Sequence, residues 1–295
     1  MLKMAECKPI FSAVAMSRVV VLAALCTVSA GLVAGAEKPF AVYVMKLDGS
    51  QVRKVAQVEA YTIHEAARWS HDGKRVVFSA LNANARTRDF FVVNIDGSGL
   101  RNLGAGRNPD WSPDDKQIAF DRLGMEGSGV YVQNVDGDGS ERVAQGNCPR
   151  WSPDGSQLAF ADGNMLYAMD LASGEQRQLF DASFETLYRG CCWSPDGKSL
   201  ALSARPVPRV PRQVLIVSAQ GAKHGLRIRL HNEASGQMGF SPDGRQLAFD
   251  NAYFIHVVDV EGNGRPRQLP DQKAQNLSPD WSPDGQWLLF ISNRD

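Results

Sequence analysis

The chain has 295 residues, with 32 Lys+Arg against 32 Asp+Glu, and is 43% hydrophobic and 22% charged. A formal charge of zero argues against a nucleic-acid binder, a polybasic membrane anchor and a charged disordered tail. Five cysteines in a chain this long do not make a disulfide scaffold, whereas 27 Gly and 15 Pro predict many tight turns.

Residues 1–36 read as a secretory signal. Lys3, Lys8 and Arg18 supply its cations, residues 19–33 its apolar run, and Ala34, Gly35 and Ala36 an A-x-A cleavage site. The run is shorter than the roughly 20 residues of a membrane helix. Met16 would start a more compact signal of the same kind. The mature protein, residues 37–295, is therefore expected in the periplasm or outside the cell, as a monomer with no membrane span.

Residues 40–49, FAVYVMKLDG, form a strand and a tight turn, and residues 52–55 a second short strand. One motif then recurs six times: WSHDGKRVVF (69–78), WSPDDKQIAF (111–120), WSPDGSQLAF (151–160), WSPDGKSLAL (193–202), FSPDGRQLAF (240–249) and WSPDGQWLLF (281–290). The first residues are 42, 40, 42, 47 and 41 positions apart. A period near 40–45 with four short strands per unit is that of a propeller blade.

SPDG is a type I turn, with Pro pre-setting φ and Gly free to take positive φ. It joins strand a, which ends at the aromatic, to strand b, the Leu-Ala-Phe run. Strand c is expected at residues 90–95, 130–135, 165–169, 214–217 and 254–258, followed by turns such as Asp96-Gly97 and a short strand d. The chain opens on a c strand and stops after a b strand. The fold expected is thus all-β, a six-bladed β-propeller with four antiparallel strands per blade. Residues 40–55 should pair into the last blade and close the ring.

The WSPDG turns, the Leu-Ala-Phe runs, Tyr43-Val44-Met45 and the terminal SNRD (292–295) resemble the propeller repeats of the TolB-like family over residues 40–295. The resemblance implies a non-catalytic, exported scaffold that binds a partner protein in the cell envelope. The alternative is a propeller enzyme acting on carbohydrate, as in oligogalacturonate lyases. Related peptidases add an α/β-hydrolase domain, for which this chain has neither the length nor a G-x-S-x-G motif.

Two rims follow from the connections. The a–b and c–d turns are short and alike. The b–c and d–a connections vary in length, and variable loops on a rigid scaffold are where binding usually resides. One residue before each aromatic stand Arg68, Asp110, Arg150, Cys192, Gly239 and Asp280. This partial ring reads either as a polar pocket for an acidic ligand or as a structural ion-pair belt around the channel. Arg68 and Arg150 are the candidate anchors, with Asp110 and Asp280 beside them. Glu185, Tyr188 and Arg189, in the long connection before the fourth repeat, are candidates to close over the same mouth on the variable rim.

No metal site or cofactor is expected. His64-Glu65-Ala66-Ala67-Arg68 lacks the second His of H-E-x-x-H. The DGDGS run at 136–140 lacks the calcium-loop ligands and reads as a hairpin turn. Only His64 and His231 fall on the variable rim. Cys148, Cys191 and Cys192 read as small buried thiols, with a cross-blade disulfide as the alternative. No catalytic constellation emerges. The partner expected is a protein or a small acidic ligand, and not nucleic acid.

Overall fold

Twenty-four strands form six four-stranded antiparallel sheets. The computed structural model describes residues 38–294, apart from 83, 125–126, 138, 182–185, 206–212, 222–226, 230–236 and 262–264. The leader, Glu185, His224 and His231 lie outside the described residues. Among those described there is no α-helix, and so none long and apolar enough to cross a membrane.

Blades are numbered here by their WSPDG-type turns. In blade 1, strands a to d are Ile63–Trp69, Arg75–Asn82, Thr87–Asn94 and Arg101–Ala105. The sixth sheet is built from both ends of the chain. Ala41–Lys46 pairs with Trp287–Ser292 from Ala41 opposite Ser292 to Lys46 opposite Trp287. Arg53–Ala56 adds the outer strand and Asn276–Trp281 the inner one. The expected closure, two strands from each end, is the one observed.

The repeated turn is held by one set of bonds in every blade. The turn-closing amide, such as that of Gly155, donates to the Ser carbonyl at 2.8–3.0 Å. The Ser hydroxyl donates to the Asp carboxylate two residues on, as from Ser152 to Asp154 at 2.6 Å. It also accepts the amide five residues on, as from Gln157 at 2.9 Å. These bonds hold the carboxyls of Asp154 and Asp196 below the ordinary value, the Ser hydroxyl being the larger cause. The turn glycines have φ of 68–74°, a conformation that favours Gly.

Apolar alternation along strand b sets the core. Six clusters of buried residues each join two neighbouring blades, and one joins blade 6 to blade 1. Successive strand residues face opposite sides of the sheet. In each Leu-Ala-Phe run the two large residues pack toward the preceding blade and the Ala toward the next. Thus Ala119 of blade 2 meets Leu158 and Phe160 of blade 3, and Ala248 of blade 5 meets Leu288 and Phe290 of blade 6. Small facing large lets the side chains interdigitate across the joint.

Candidate functional site

Five of the six inner strands carry an irregularity shortly before their last residues, blade 5's Met238–Phe240 being the one that pairs without it. Ala66, Asn108, Cys148 and Ser278, each three residues before the blade's Trp, have φ of 49°, 51°, 52° and 53°. The pairing with strand b skips one residue there, as between Arg107 and Asp110. This is a β-bulge, which re-aims the side chains beyond it. In blades 3 and 6 the bulge amide is captured by the preceding blade: Cys148 N donates to Asp121 Oδ1 at 2.9 Å and Ser278 N to Asp250 Oδ1 at 3.4 Å. Asp121 also receives Asn108 Nδ2 at 2.8 Å and the Arg107 guanidinium.

Beyond the bulges, Arg68, Asp110, Arg150, Cys192, Gly239 and Asp280 come together at the floor of a funnel of about 380 Å3. Its walls are the six aromatics at the ends of the inner strands, with His71 and the turn prolines at its lip. The funnel therefore opens on the rim of near-identical a–b turns, not on the variable rim. The reason is local: each ring residue precedes the last residue of strand a, and the a–b turn begins immediately after. Tyr188 stands at the far end of blade 4's inner strand, Thr186–Trp193, opposite Ser203, while Cys192 stands opposite Ala201. The backbone thus does not bring Tyr188 and Arg189 to this mouth.

The two aspartates act as staples between blades. Asp280 Oδ2 accepts the Trp69 amide and Asp110 Oδ2 the Trp151 amide, both at 2.8 Å. Arg68 lies between them, 3.4 Å from Asp280 and 3.9 Å from Asp110. Burial lowers the pKa of the Arg68 guanidinium, and repulsion from Arg150 adds to it. Burial also raises the Asp280 carboxyl, outweighing the attraction of Arg68. Both partners are pushed toward neutrality, so desolvation is not fully compensated by the pair.

Arg150 is in a different position. It is 3% exposed, and its Nη1 donates to the carbonyls of Pro149 at 2.7 Å and Asn108 at 3.2 Å. Its Nη2 donates to Gln237 Oε1 at 2.9 Å, and Arg68 Nη2 reaches the same oxygen at 3.1 Å. No carboxylate among the described residues pairs with Arg150, and its buried Nε has no partner there. Two guanidiniums share one amide oxygen, and the two aspartates that balance them in net charge both stand beside Arg68 rather than bonded to Arg150.

Gln237 is the residue that sequence reasoning missed. It lies two positions before Gly239, the blade 5 member of the ring that brings no side chain. A Cβ at Gly239 would stand 3.0 Å from Asp280 Oδ1, so the position stays small and Gln237 reaches in from behind. The signal available was the bare glycine in an otherwise polar ring.

Other candidates resolve as packing. His64 is buried against Phe78, with ring centroids 5.5 Å apart, and its pKa is lowered to about 4 by desolvation. Its Nε2 accepts the Val58 amide at 3.1 Å. Cys148, Cys191 and Cys192 are buried and in no disulfide, and burial pushes Cys192 up to about 12. Among the described residues no three His, Cys, Asp or Glu stand close enough together to hold a metal ion.

No protein-family model matches the chain. An uncharacterised protein of Agrobacterium fabrum, Atu1656, is 31% identical over 135 residues, 44% of this chain and 45% of that protein. The uncharacterised peptidase YuxL of Bacillus subtilis is 27% identical over 139 residues, 45% of this chain and 19% of the peptidase. The matched stretches thus span less than half of either relative. Among solved structures, TolB from Acinetobacter baumannii superimposes with a TM-score of 0.66 at 18% identity, over 83% of this chain and 66% of that one. A protein assigned as TolB from Agrobacterium tumefaciens gives 0.67 at 19% identity, over 86% and 98%. The fold is that of a TolB-type propeller. Oligogalacturonate lyase from Vibrio parahaemolyticus shares the TolB-type arrangement less closely, with a TM-score of 0.53 at 10% identity over 87% and 98%. Likeness at these identities establishes the TolB-type fold and leaves the chemistry to the residues of this funnel.

Proposed function

We propose that this chain is an exported TolB-type propeller that binds rather than catalyses, holding an acidic group at the funnel floor between Arg68 and Arg150. The group belongs to a partner protein of the cell envelope or to a small ligand. The leader read in residues 1–36 and the likeness in fold to TolB both favour an envelope or secreted location. The observation that carries the reading is the shared Gln237 oxygen with the carboxylate-free Arg150 beside it. A carboxylate placed there forks onto guanidinium nitrogen and gives Arg150 a bonded carboxylate partner. The aromatic walls lower the local polarity around that bond and so strengthen it.

The test is recovery of partners from envelope extract by the wild type and by Arg150→Gln, with citrate as a competing carboxylate and melting temperature as a control. The reading requires a partner that is lost with Arg150→Gln and displaced by citrate while melting changes little. Equal recovery by both proteins, with lowered melting in the variant, would make the ring structural. The rival reading, an enzyme acting on acidic carbohydrate, draws on the fold shared with oligogalacturonate lyases. Incubation with polygalacturonate and manganese, then absorbance of an unsaturated product, decides it.

A further inference from the structure

Gln237 holds the two arginines of the funnel floor from below. Met238 and Gly239 line the funnel, and Gln237, the residue before them, is 2% exposed. Its amide joins side chains of three other blades. Oε1 accepts Arg68 Nη2 at 3.1 Å from blade 1 and Arg150 Nη2 at 2.9 Å from blade 3. Nε2 donates to Asn108 Oδ1 of blade 2 at 3.4 Å. Asn108 turns its own Nδ2 to Asp121 and so its oxygen to Gln237. A guanidinium accepts nothing. The amide is therefore fixed with its oxygen toward the arginines.

This grip withholds the donors that a ligand needs. Arg68 and Arg150 are only 5% and 3% exposed. Arg150 Nη1 is committed to the Pro149 and Asn108 carbonyls, and Arg68 Nη2 also reaches the Met238 carbonyl at 3.3 Å. For a side-on fork Arg150 has left its Nε, buried and without a partner among the described residues, and Nη2, the nitrogen that Gln237 holds. A carboxylate that forks onto Arg150 must draw Nη2 away from the amide. Gln237 Oε1 is thus a neutral stand-in for the ligand oxygen. An ionised oxygen attracts a guanidinium more strongly than a neutral one. An amide or hydroxyl would exchange like for like and gain nothing.

We propose that Gln237 sets the specificity of the funnel, as an internal competitor that only an ionised carboxylate displaces. The inference rests on the reading of Arg68 and Arg150 as a carboxylate site. It adds the chemistry of the ligand: a carboxylate head on an apolar body, the head on Arg150 and the body against the aromatic walls. A neutral head on the same body is refused.

The test is calorimetric titration of the full chain with phenylacetate and phenylacetamide, which share an aromatic body and differ in the head. The wild type is expected to bind the acid and not the amide. Gln237→Leu keeps the bulk and removes the oxygen. It should bind phenylacetate about tenfold more tightly, a competing bond to a charged group being gone. It should also admit phenylacetamide, a gain that misfolding cannot imitate. Gln237→Glu tethers a carboxylate in the same place and should bind neither probe, with a melting temperature no lower than that of the wild type. Gln237→Glu decides alone if Gln237→Leu does not fold. If the wild type binds phenylacetate no better than Arg150→Gln does, the carboxylate site itself falls, and this inference with it. If Arg150→Gln weakens phenylacetate while Gln237→Leu keeps wild-type affinity and selectivity, the site stands and the role of Gln237 is overturned. Wild-type binding by Gln237→Glu, or a lowered melting temperature in it, overturns that role equally.

Discussion

Asp115 and His71, 44 residues apart, hold each other across the joint between the first two blades: Asp115 Oδ1 accepts the His71 amide at 2.7 Å and Oδ2 the Asp72 amide at 2.8 Å. They occupy the only two positions at which the S-P-D-G turn is broken. His71 stands where the other turns have Pro, and Asp115 where they have Gly. Elsewhere the turn glycine faces the proline of the preceding blade, so that a Cβ at Gly155 would meet Pro113 at 3.6 Å. Proline has no N–H to give. The histidine supplies the donor that the aspartate needs, and the two departures form one compensating pair.

That pairing predicts non-additivity. His71→Pro removes a donor and leaves the Asp115 carboxylate short of one bond, at a cost of about 1–2 kcal/mol. Asp115→Gly alone loses both bonds and relieves a non-glycine residue at φ 57°. Together they restore the standard turn. Urea unfolding of the two single variants and the double should give a coupling of about 1 kcal/mol or more; additive effects would mean that the two residues do not act together.

Closure of the ring predicts that a chain starting at Tyr61 is insoluble. It lacks the strand that pairs with Trp287–Ser292 along six residues, and its edge would expose Leu288, Leu289, Phe290 and Ile291, all fully buried in the native ring. The soluble fraction after expression is the measurement. A soluble monomer with unchanged melting temperature would contradict the pairing.

His64 predicts an acid-sensitive step in stability. It is neutral in the fold, with a pKa of about 4, against about 6.5 in the unfolded chain. Between those values the unfolded state binds more protons, so stability rises with pH and is lost as pH falls from about 6.5 toward 4. The loss reaches about 3 kcal/mol at the lower end. Urea unfolding across that window should show the slope in the wild type and a shallower one in His64→Gln.

The thiols should be silent in the native protein. Cys148, Cys191 and Cys192 are buried, and Cys192, held at about 12, offers almost no thiolate at neutral pH. In the chain without residues 1–36, Ellman titration should find no rapidly reacting thiol when folded and three when denatured. A count of one under non-reducing denaturation would reveal a disulfide.

Asp121 predicts the largest single loss. Its fully buried carboxylate takes the Arg107 guanidinium, Asn108 Nδ2 and the Cys148 amide of the next blade. Asp121→Ala leaves all three donors unsatisfied and should cost about 3–5 kcal/mol by chemical denaturation. A loss below about 1 kcal/mol would place the joint's stability elsewhere.

The blade count, the turns and the closure were legible because each is written within one repeat. SPDG encodes its own hydrogen bonds, and Leu-Ala-Phe its own faces. The bulges at Ala66, Asn108, Cys148 and Ser278 were not legible, since none of these positions bears the glycine that would announce a left-handed backbone. Nor was Gln237, whose bonds to Arg68 and Arg150 span 169 and 87 residues. Contacts across the channel depend on which side chains several blades happen to present, and no single repeat contains that combination. The rim of the funnel was legible, in that a residue preceding the last of strand a must lie near the a–b turn, but the length of the opposite loops drew attention away from it.

Pairing Ala41 with Ser292 places the two strands that seal the ring side by side, with their outer ends at the same edge of the sheet. A pull applied between Ala41 and Ser292 would load the hydrogen bonds of that pair one after another, as a zipper opens, because antiparallel bonds lie across the strands. The seal is therefore weak against tension between those ends, though thermal opening must break the whole sheet at once. A tethered protein of this build would part first at the sixth blade, with the other five opening afterwards from a newly bared edge.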